Sequence, residues 1–190
     1  MSDITIKTVR VGFLGTNCYV VCRDDRQDCV VIDPGAQADR IRAAADGRRI
    51  DAILLTHGHF DHIMAADELM EDETALYIHR DDAEMLQDSR KNAGYMIMRD
   101  VKVNAAPTLI REGMTVSAAG IDFDVLHTPG HSRGSCCFRV GSHLFTGDTL
   151  FDMGYGRTDL YGGDERQMQQ SLDRLMSMDK ALTIYPGHDD

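Results

Sequence analysis

A chain of 190 residues with 43% hydrophobic content is long enough for one well-buried core and too short for two ordinary domains, so a single domain over 1–190 is expected. A formal net charge of −11 and a pI near 5.0 argue against a surface of clustered Lys and Arg, which removes nucleic acid and anionic membranes from the expected partners. There is no run of about 18 apolar residues for a membrane span, and the N-terminal MSDITIKTVR carries charges where a signal peptide is apolar, so a cytoplasmic location is expected.

In chain order, residues 4 to 9, 17 to 22 and 29 to 33 are β-branched runs separated by the turn-formers GFLGTN and DDRQD, which predicts three strands joined by short loops. DPGAQADRIRAAADGRR follows as a helix: its alanines favour helix, DPG breaks the preceding strand, and Gly47 sits where a C-cap belongs. AILLT at 52 to 56 is a short apolar run that fits a strand buried on both faces. IMAADELMEDE (63 to 73) predicts an amphipathic helix, TALYIH (74 to 79) a strand, and DDAEMLQDSR (81 to 90) a helix opened by acidic residues. Residues 91 to 112 have weak periodicity and are expected to be a loop-rich connection. IDFDVLHT (121 to 128), SCCFRV (135 to 140) and HLFTGD (143 to 148) predict three strands, and ERQMQQSLDRLMSM (165 to 178) a final helix before ALTIYP. The order suggests two sheets packed together with helices outside. Cysteines 18, 22, 29, 136 and 137 are odd in number and contain no CxxC pair, so reduced, buried thiols are expected.

The chemistry is concentrated in THGHFDH, residues 56 to 62, which places three of the eight histidines and a carboxylate within six positions at the end of the AILLT strand. Sites gather outside the carboxyl ends of strands, where loop residues converge. His131 lies in HTPGHSRGS and His188 in IYPGHDD, each turned out after a Pro-Gly break. Asp148 ends the apolar strand of LFTGDT, where a buried carboxylate is costly unless paired or metal-bound. His79, His127 and His143 fall within strand runs and are expected to be structural. The remaining set is His57, His59, Asp61, His62, His131, Asp148 and His188. One four-coordinate zinc needs three protein ligands and a water, so seven candidates fit two adjacent metals that share a bridging group. Residues 57 and 59 point the same way from an extended segment, whereas 61 and 62, starting a helix, are turned elsewhere.

HxHxDH at 57 to 62, TPGH at 128 to 131, TGD at 146 to 148 and PGH at 186 to 188, with TNCYVV and VIDPG before them, resemble the metallo-β-lactamase superfamily. The resemblance runs across nearly the whole chain and implies an α/β fold, a four-layer αβ/βα sandwich with a dinuclear site between the two sheets. It implies that His57, His59 and His131 hold the first metal, that Asp61, His62 and His188 hold the second, and that Asp148 bridges them. β-Lactamases of the common dizinc kind have Cys where this chain has Asp148, which disfavours lactam hydrolysis. GRTDLYGGD and the chain's size resemble small glyoxalase II-like hydrolases most. The larger glyoxalase II enzymes add a helical C-terminal extension that supplies much of their glutathione surface, so only modest rates on glutathione thioesters are expected.

The expected function is therefore hydrolysis of a small-molecule thioester by a metal-bridging hydroxide, with lactone or ester hydrolysis as a related possibility. Nitrogen and oxygen ligands without sulfur suit two divalent ions, with Zn(II) the default and Fe or Mn also compatible. Asp61 is expected to orient the hydroxide as the catalytic side chain, and Asp33 and Thr56 to hold ligand imidazoles. Tyr155 and Arg157, in DMGYGRTDLYGG, are candidates to meet substrate, set against an Arg157 salt bridge that merely packs the loop. The competing reading is a persulfide dioxygenase, which the same motifs and the GRTD segment resemble. It implies one iron on His57, His131 and Asp148.

Overall fold

A computed structural model describes residues 3–178 and 181–189; Met1 and Ser2 of the charged N-terminal stretch, and Asp190, lie outside the described residues. Strands β1 (Ile4–Val11), β2 (Thr16–Arg23) and β3 (Asp28–Ile32) pair antiparallel with one another, β1 with β2 and β2 with β3. Helix α1 (Ala38–Ala45) then crosses over to β4 (Arg49–Leu54), which pairs parallel with β3. The chain ends α1 with two left-handed residues, Asp46 and Gly47, so the cap falls one residue before the expected glycine. Short helices α2 (Phe60–Ile63) and α3 (Ala66–Leu69) lead to β5 (Ala75–His79), and β6 (Thr108–Ile110) closes the first sheet in the order β1-β2-β3-β4-β5-β6. The second sheet is built from β7 (Thr115–Ala118), β8 (Ile121–His127), β9 (Cys136–Val140), β10 (His143–Gly147) and β11 (Thr183–Pro186), with helix α4 (Glu165–Met176) before its last strand.

The period-2 geometry of strands sorts the apolar residues into layers. On β2, Cys18, Val20 and Cys22 face the helices, whereas Tyr19 and Val21 face the second sheet. On β9, Cys136 and Phe138 meet the first sheet, and Cys137 packs with Leu144 beside Leu175 of α4. Helix, sheet, sheet and helix thus form the expected four-layer α/β sandwich. All five cysteines are free and buried. No described helix is long and apolar enough to cross a membrane.

Three local expectations need correction. The helix expected over 63 to 73 is two single turns, because the Ala65 N–H bonds the carbonyl of Pro34 instead of continuing the helical ladder. Gly35 makes this possible: its missing side chain lets the DPG loop lie directly on the Asp61 carbonyl. The helix expected over 81 to 90 is a 3₁₀ turn at Ala83–Gln87, since the Asp82 side chain is turned inward and makes no cap. The stretch 91 to 112 holds a second 3₁₀ turn, Gly94–Ile97, and the edge strand β6; neither β6 nor β7 was expected, both being only three or four residues long.

Candidate metal centre

Five loops meet at one end of the sandwich, each leaving the carboxyl end of a strand. Asp33 follows β3, residues 56 to 62 follow β4, His131 follows β8, Asp148 follows β10 and His188 follows β11. All seven predicted residues are brought together there. Nitrogens of His57, His59 and His131 lie within 4.8 Å of one another, and ligand atoms of Asp61, His62 and His188 do the same. Asp148 stands between the groups: Oδ2 is 3.4 Å from His131 Nε2 and 3.6 Å from His188 Nε2, and Oδ1 is 3.4 Å from His62 Nε2.

The donor set fits cations. His57 Nε2, His59 Nε2 and Asp148 Oδ1 are buried without a hydrogen-bond partner, an arrangement that costs free energy unless something positive occupies the space between them. His59 Nδ1 faces His131 Nε2 at 2.8 Å, and His62 Nε2 faces His188 Nε2 at 3.2 Å, so lone pairs of different rings converge on common points. Glycines hold the space open. A Cβ on Gly187 would collide with the Asp148 carboxylate and crowd the His62 ring, and Gly147, at φ 50°, sits against Thr56.

The other ring nitrogens are tied to the scaffold. Asp33 Oδ2 accepts from Thr56 Oγ1 at 2.6 Å and lies 2.9 Å from His62 Nδ1, while Thr56 Oγ1 is 3.0 Å from His57 Nδ1. One carboxylate therefore orients two rings, as expected of Asp33 and Thr56. His131 Nδ1 donates to the backbone carbonyl of Arg157 at 2.7 Å, and His188 Nδ1 to that of Leu14 at 3.2 Å.

Electrostatics divide the rings. Burial, reinforced by neighbouring imidazoles, holds His57 and His59 well below the usual histidine range, so both are neutral. Burial also opposes charge on His62, but Asp148, Asp61 and Asp33 override it and push that ring up to about 10, so the surrounding carboxylates favour positive charge at Nε2, where a bound cation takes the place of the proton. Burial alone would raise Asp61; His62 and the hydrogen-bonded His188 instead hold its carboxyl well below the usual carboxylate range.

Several functional residues carry no signal in the sequence. Thr16, in β2, donates from Oγ1 to Asp61 Oδ2 at 3.1 Å. Asp82 is fully buried and accepts from Gly58 N, Ser132 Oγ and Gly134 N, which ties the HGH loop to the loop after His131. Its place at the head of an acidic helix start disguised that role. The Arg157 side chain is held by Asp159 through Nε at 2.6 Å and Nη2 at 2.8 Å, so its backbone is what reaches the site. Tyr155 OH bonds Glu165. His143 meets Tyr185 OH at 3.1 Å. His79 and His127 lie with Asp81 within ligand distance, but their rings stack face to face, 4.1 Å apart and tilted by 7°. Parallel stacked rings do not aim their in-plane lone pairs at one point.

The sequence profile of the metallo-β-lactamase superfamily matches residues 11–188. The probable metallo-hydrolase YqgX of Bacillus subtilis (strain 168) is 34% identical, over 94% of this chain and 87% of that protein. The hydroxyacylglutathione hydrolase of Xanthomonas campestris pv. campestris is 36% identical over 90% of this chain, which spans 59% of that enzyme. Among solved structures, the BLEG-1 B3 metallo-β-lactamase superposes with a TM-score of 0.91 at 31% identity, covering 98% of this chain and 92% of that one. TTHA1623 in a di-iron-bound form superposes with a TM-score of 0.85 at 34% identity, covering 97% and 92%.

Proposed function

This chain belongs to the metallo-β-lactamase superfamily and is a metallo-hydrolase of that superfamily, and we propose that it hydrolyses thioesters of small molecules at a dinuclear centre. The observation that carries the reading is the position of Asp148 between two ligand groups whose buried nitrogens lack partners. His57, His59 and His131 would hold one ion, Asp61, His62 and His188 the other, with Asp148 shared. Two divalent ions there supply Lewis acidity for a carbonyl oxygen and lower the pKa of water toward neutrality. Zinc is the default, and the di-iron form of TTHA1623 supports testing iron alongside it.

The chain's own groups divide the remaining work. Asp61 is held well below the usual carboxylate range by the positive charge favoured beside it, from protonated His62 and His188 without metal and from the ion with it, so the oxygen that Thr16 holds in place would be an acceptor for a proton of water at the cleft floor. Asp33 and Thr56 fix the His62 and His57 rings, and the Arg157 carbonyl fixes His131. Hydrolysis joins the water oxygen to the carbonyl carbon and breaks the carbon–sulfur bond; one water proton ends on the departing sulfur and an acid is released. The resemblance to hydroxyacylglutathione hydrolase supports a thioester rather than a lactam, and Asp148 in place of Cys agrees with it.

The test runs a thiol-release assay and an oxygen electrode on the same zinc-loaded and iron-loaded protein. Anaerobic release of thiol from an activated thioester by the zinc form is the expected result. Oxygen uptake with a persulfide, confined to the iron form and with no thiol released by either, would establish the mononuclear dioxygenase reading on His57, His131 and Asp148 in its place.

A further inference from the structure

The cleft above the ligand cluster encloses about 490 Å³, within the range of small-molecule sites. Its floor is five of the predicted ligands, His59, Asp61, His131, Asp148 and His188, but its walls are apolar: Phe13, Leu14, Met96, Ile97, Phe151 and Leu160. These come from three separate loops, after β1, around the 3₁₀ turn Gly94–Ile97, and after β10. Phe13 is 71% exposed, Met96 51% and Leu14 47%, although the protein has ample polar residues for a solvated rim. Phe13 is not loose, since its ring stacks on the buried Phe60 with centroids 6.3 Å apart and 21° between planes. Exposed apolar side chains gathered around a reactive floor mark a ligand-binding surface.

The polar complement of this cleft is equally informative. The lone Lys or Arg among its lining residues is Arg157, and both its Nε and its Nη2 are already engaged by Asp159. Beyond the reach of the floor, a carrier with carboxylates, such as glutathione, finds on the walls no Lys or Arg that Asp159 does not already hold.

From these two features we infer that the cleft is a subsite for an uncharged aliphatic or aromatic chain attached next to the scissile carbonyl, and that it selects against charged carriers. The inference rests on the thioester reading above and adds the substrate class. Such a chain, on the acyl or on the thiol side, covers Phe13, Leu14 and Met96 while its carbonyl stays at the floor.

Each buried methylene is worth up to about fourfold in binding. With zinc-loaded protein, kcat/KM should rise about two- to fourfold per methylene from acetyl to octanoyl thioesters of one small neutral thiol, or across neutral alkyl thiols carrying one acetyl group. Growth in the first series places the chain on the acyl side, growth in the second on the thiol side, and either supports the inference. Calorimetric titration with butyrate, hexanoate and octanoate gives a readout without turnover, and affinity should climb along the series. Phe13→Ser and Met96→Ser alter exposed side chains and should spare folding; each should cut the octanoyl-over-acetyl preference at least about fivefold and weaken octanoate binding. Thioester hydrolysis with flat responses in both series, or faster turnover of lactoylglutathione than of any neutral thioester, would overturn the subsite and leave the hydrolase reading standing. If no thioester is hydrolysed, the hydrolase reading falls instead, and the carboxylate titration still decides the subsite: climbing affinity upholds it and flat affinity removes it.

Discussion

Asp148 is the residue on which the two halves of the centre depend. It lies 3.4 Å from His131 and from His62, one in each ligand group, whereas His59 belongs to one group only. If the carboxylate is shared as proposed, Asp148→Ala removes a ligand from both ions and the charge that balances them. Elemental analysis of protein purified without chelator should find two first-row metals per chain in the wild type, one or more retained in His59→Ala, and the greater loss of metal and activity in Asp148→Ala. Equal metal content and turnover in wild type and Asp148→Ala would show that the carboxylate is not shared. The convergence of the seven residues was legible in the sequence because His57, His59, His131, Asp148 and His188 each neighbour a glycine and Asp61 and His62 complete the HxHxDH motif. Of their supports Asp33 and Thr56 were expected; the others were not, since Thr16, Asp82 and the Leu14 and Arg157 carbonyls belong to no spacing pattern and reach the site only through the fold.

At the scale of elements, the ligand loops are held to one another as well as to their strands. Asp82, at the start of the 3₁₀ turn after β5, is buried and has burial raising its carboxyl, yet three donors from two loops end on it: Gly58 N at 3.1 Å, Ser132 Oγ at 2.6 Å and Gly134 N at 2.6 Å. Substitution by Ala leaves those donors buried without an acceptor, at about 1–3 kcal/mol for each group that water cannot reach. We expect Asp82→Ala to lose about 3 kcal/mol, seen in scanning calorimetry as a Tm drop of about 6–12 °C for a chain of this size. Metal on the His57, His59 and His131 group should weaken with it. A variant with wild-type Tm and metal content would mean that the two loops stand independently. Long elements, such as β2 and α4, were predicted from their periodicity, whereas the broken helix after residue 60 was not. Its interruption is made by Pro34, some thirty residues upstream in the chain, taking the Ala65 N–H.

Across the whole molecule, the two sheets meet through the apolar layer between them and also through a ring pair, His79 at the end of β5 stacked on His127 at the end of β8. Burial first, and His127 next, push His79 down to about 4, against the opposing pull of Asp81 and Glu112 and with Arg80 adding to the depression. A histidine lowered in the folded state binds fewer protons than the unfolded chain between its folded value and about 6.5. The stability it contributes is therefore complete above about pH 6.5 and lost as pH falls from there toward 4. His79→Phe keeps a stacked ring and removes the titration. In urea unfolding of metal-free protein, the wild type should lose on the order of 2–3 kcal/mol more than the variant between pH 7.5 and 4.5. Equal losses would show that the pair plays no part in acid unfolding.

What the sequence determined by itself were the features encoded in short range: strand and helix periods, the turn-formers that end strands, and ligand residues placed directly after them. Those were enough to suggest two sheets with helices outside and to name the seven side chains that meet at the centre, though not Thr16 beside them. Tertiary structure alone decided which backbone carbonyls fix the imidazoles, where helices break, and that the loops after β1 and β10 and the turn at Gly94–Ile97 wall one cleft with apolar side chains. The physical reason is separation along the chain. Periodicity and turn chemistry act over a few residues, whereas Asp82 meets Gly134 and Phe13 joins Phe151 only after two sheets have packed and brought distant loops to the same end of the sandwich.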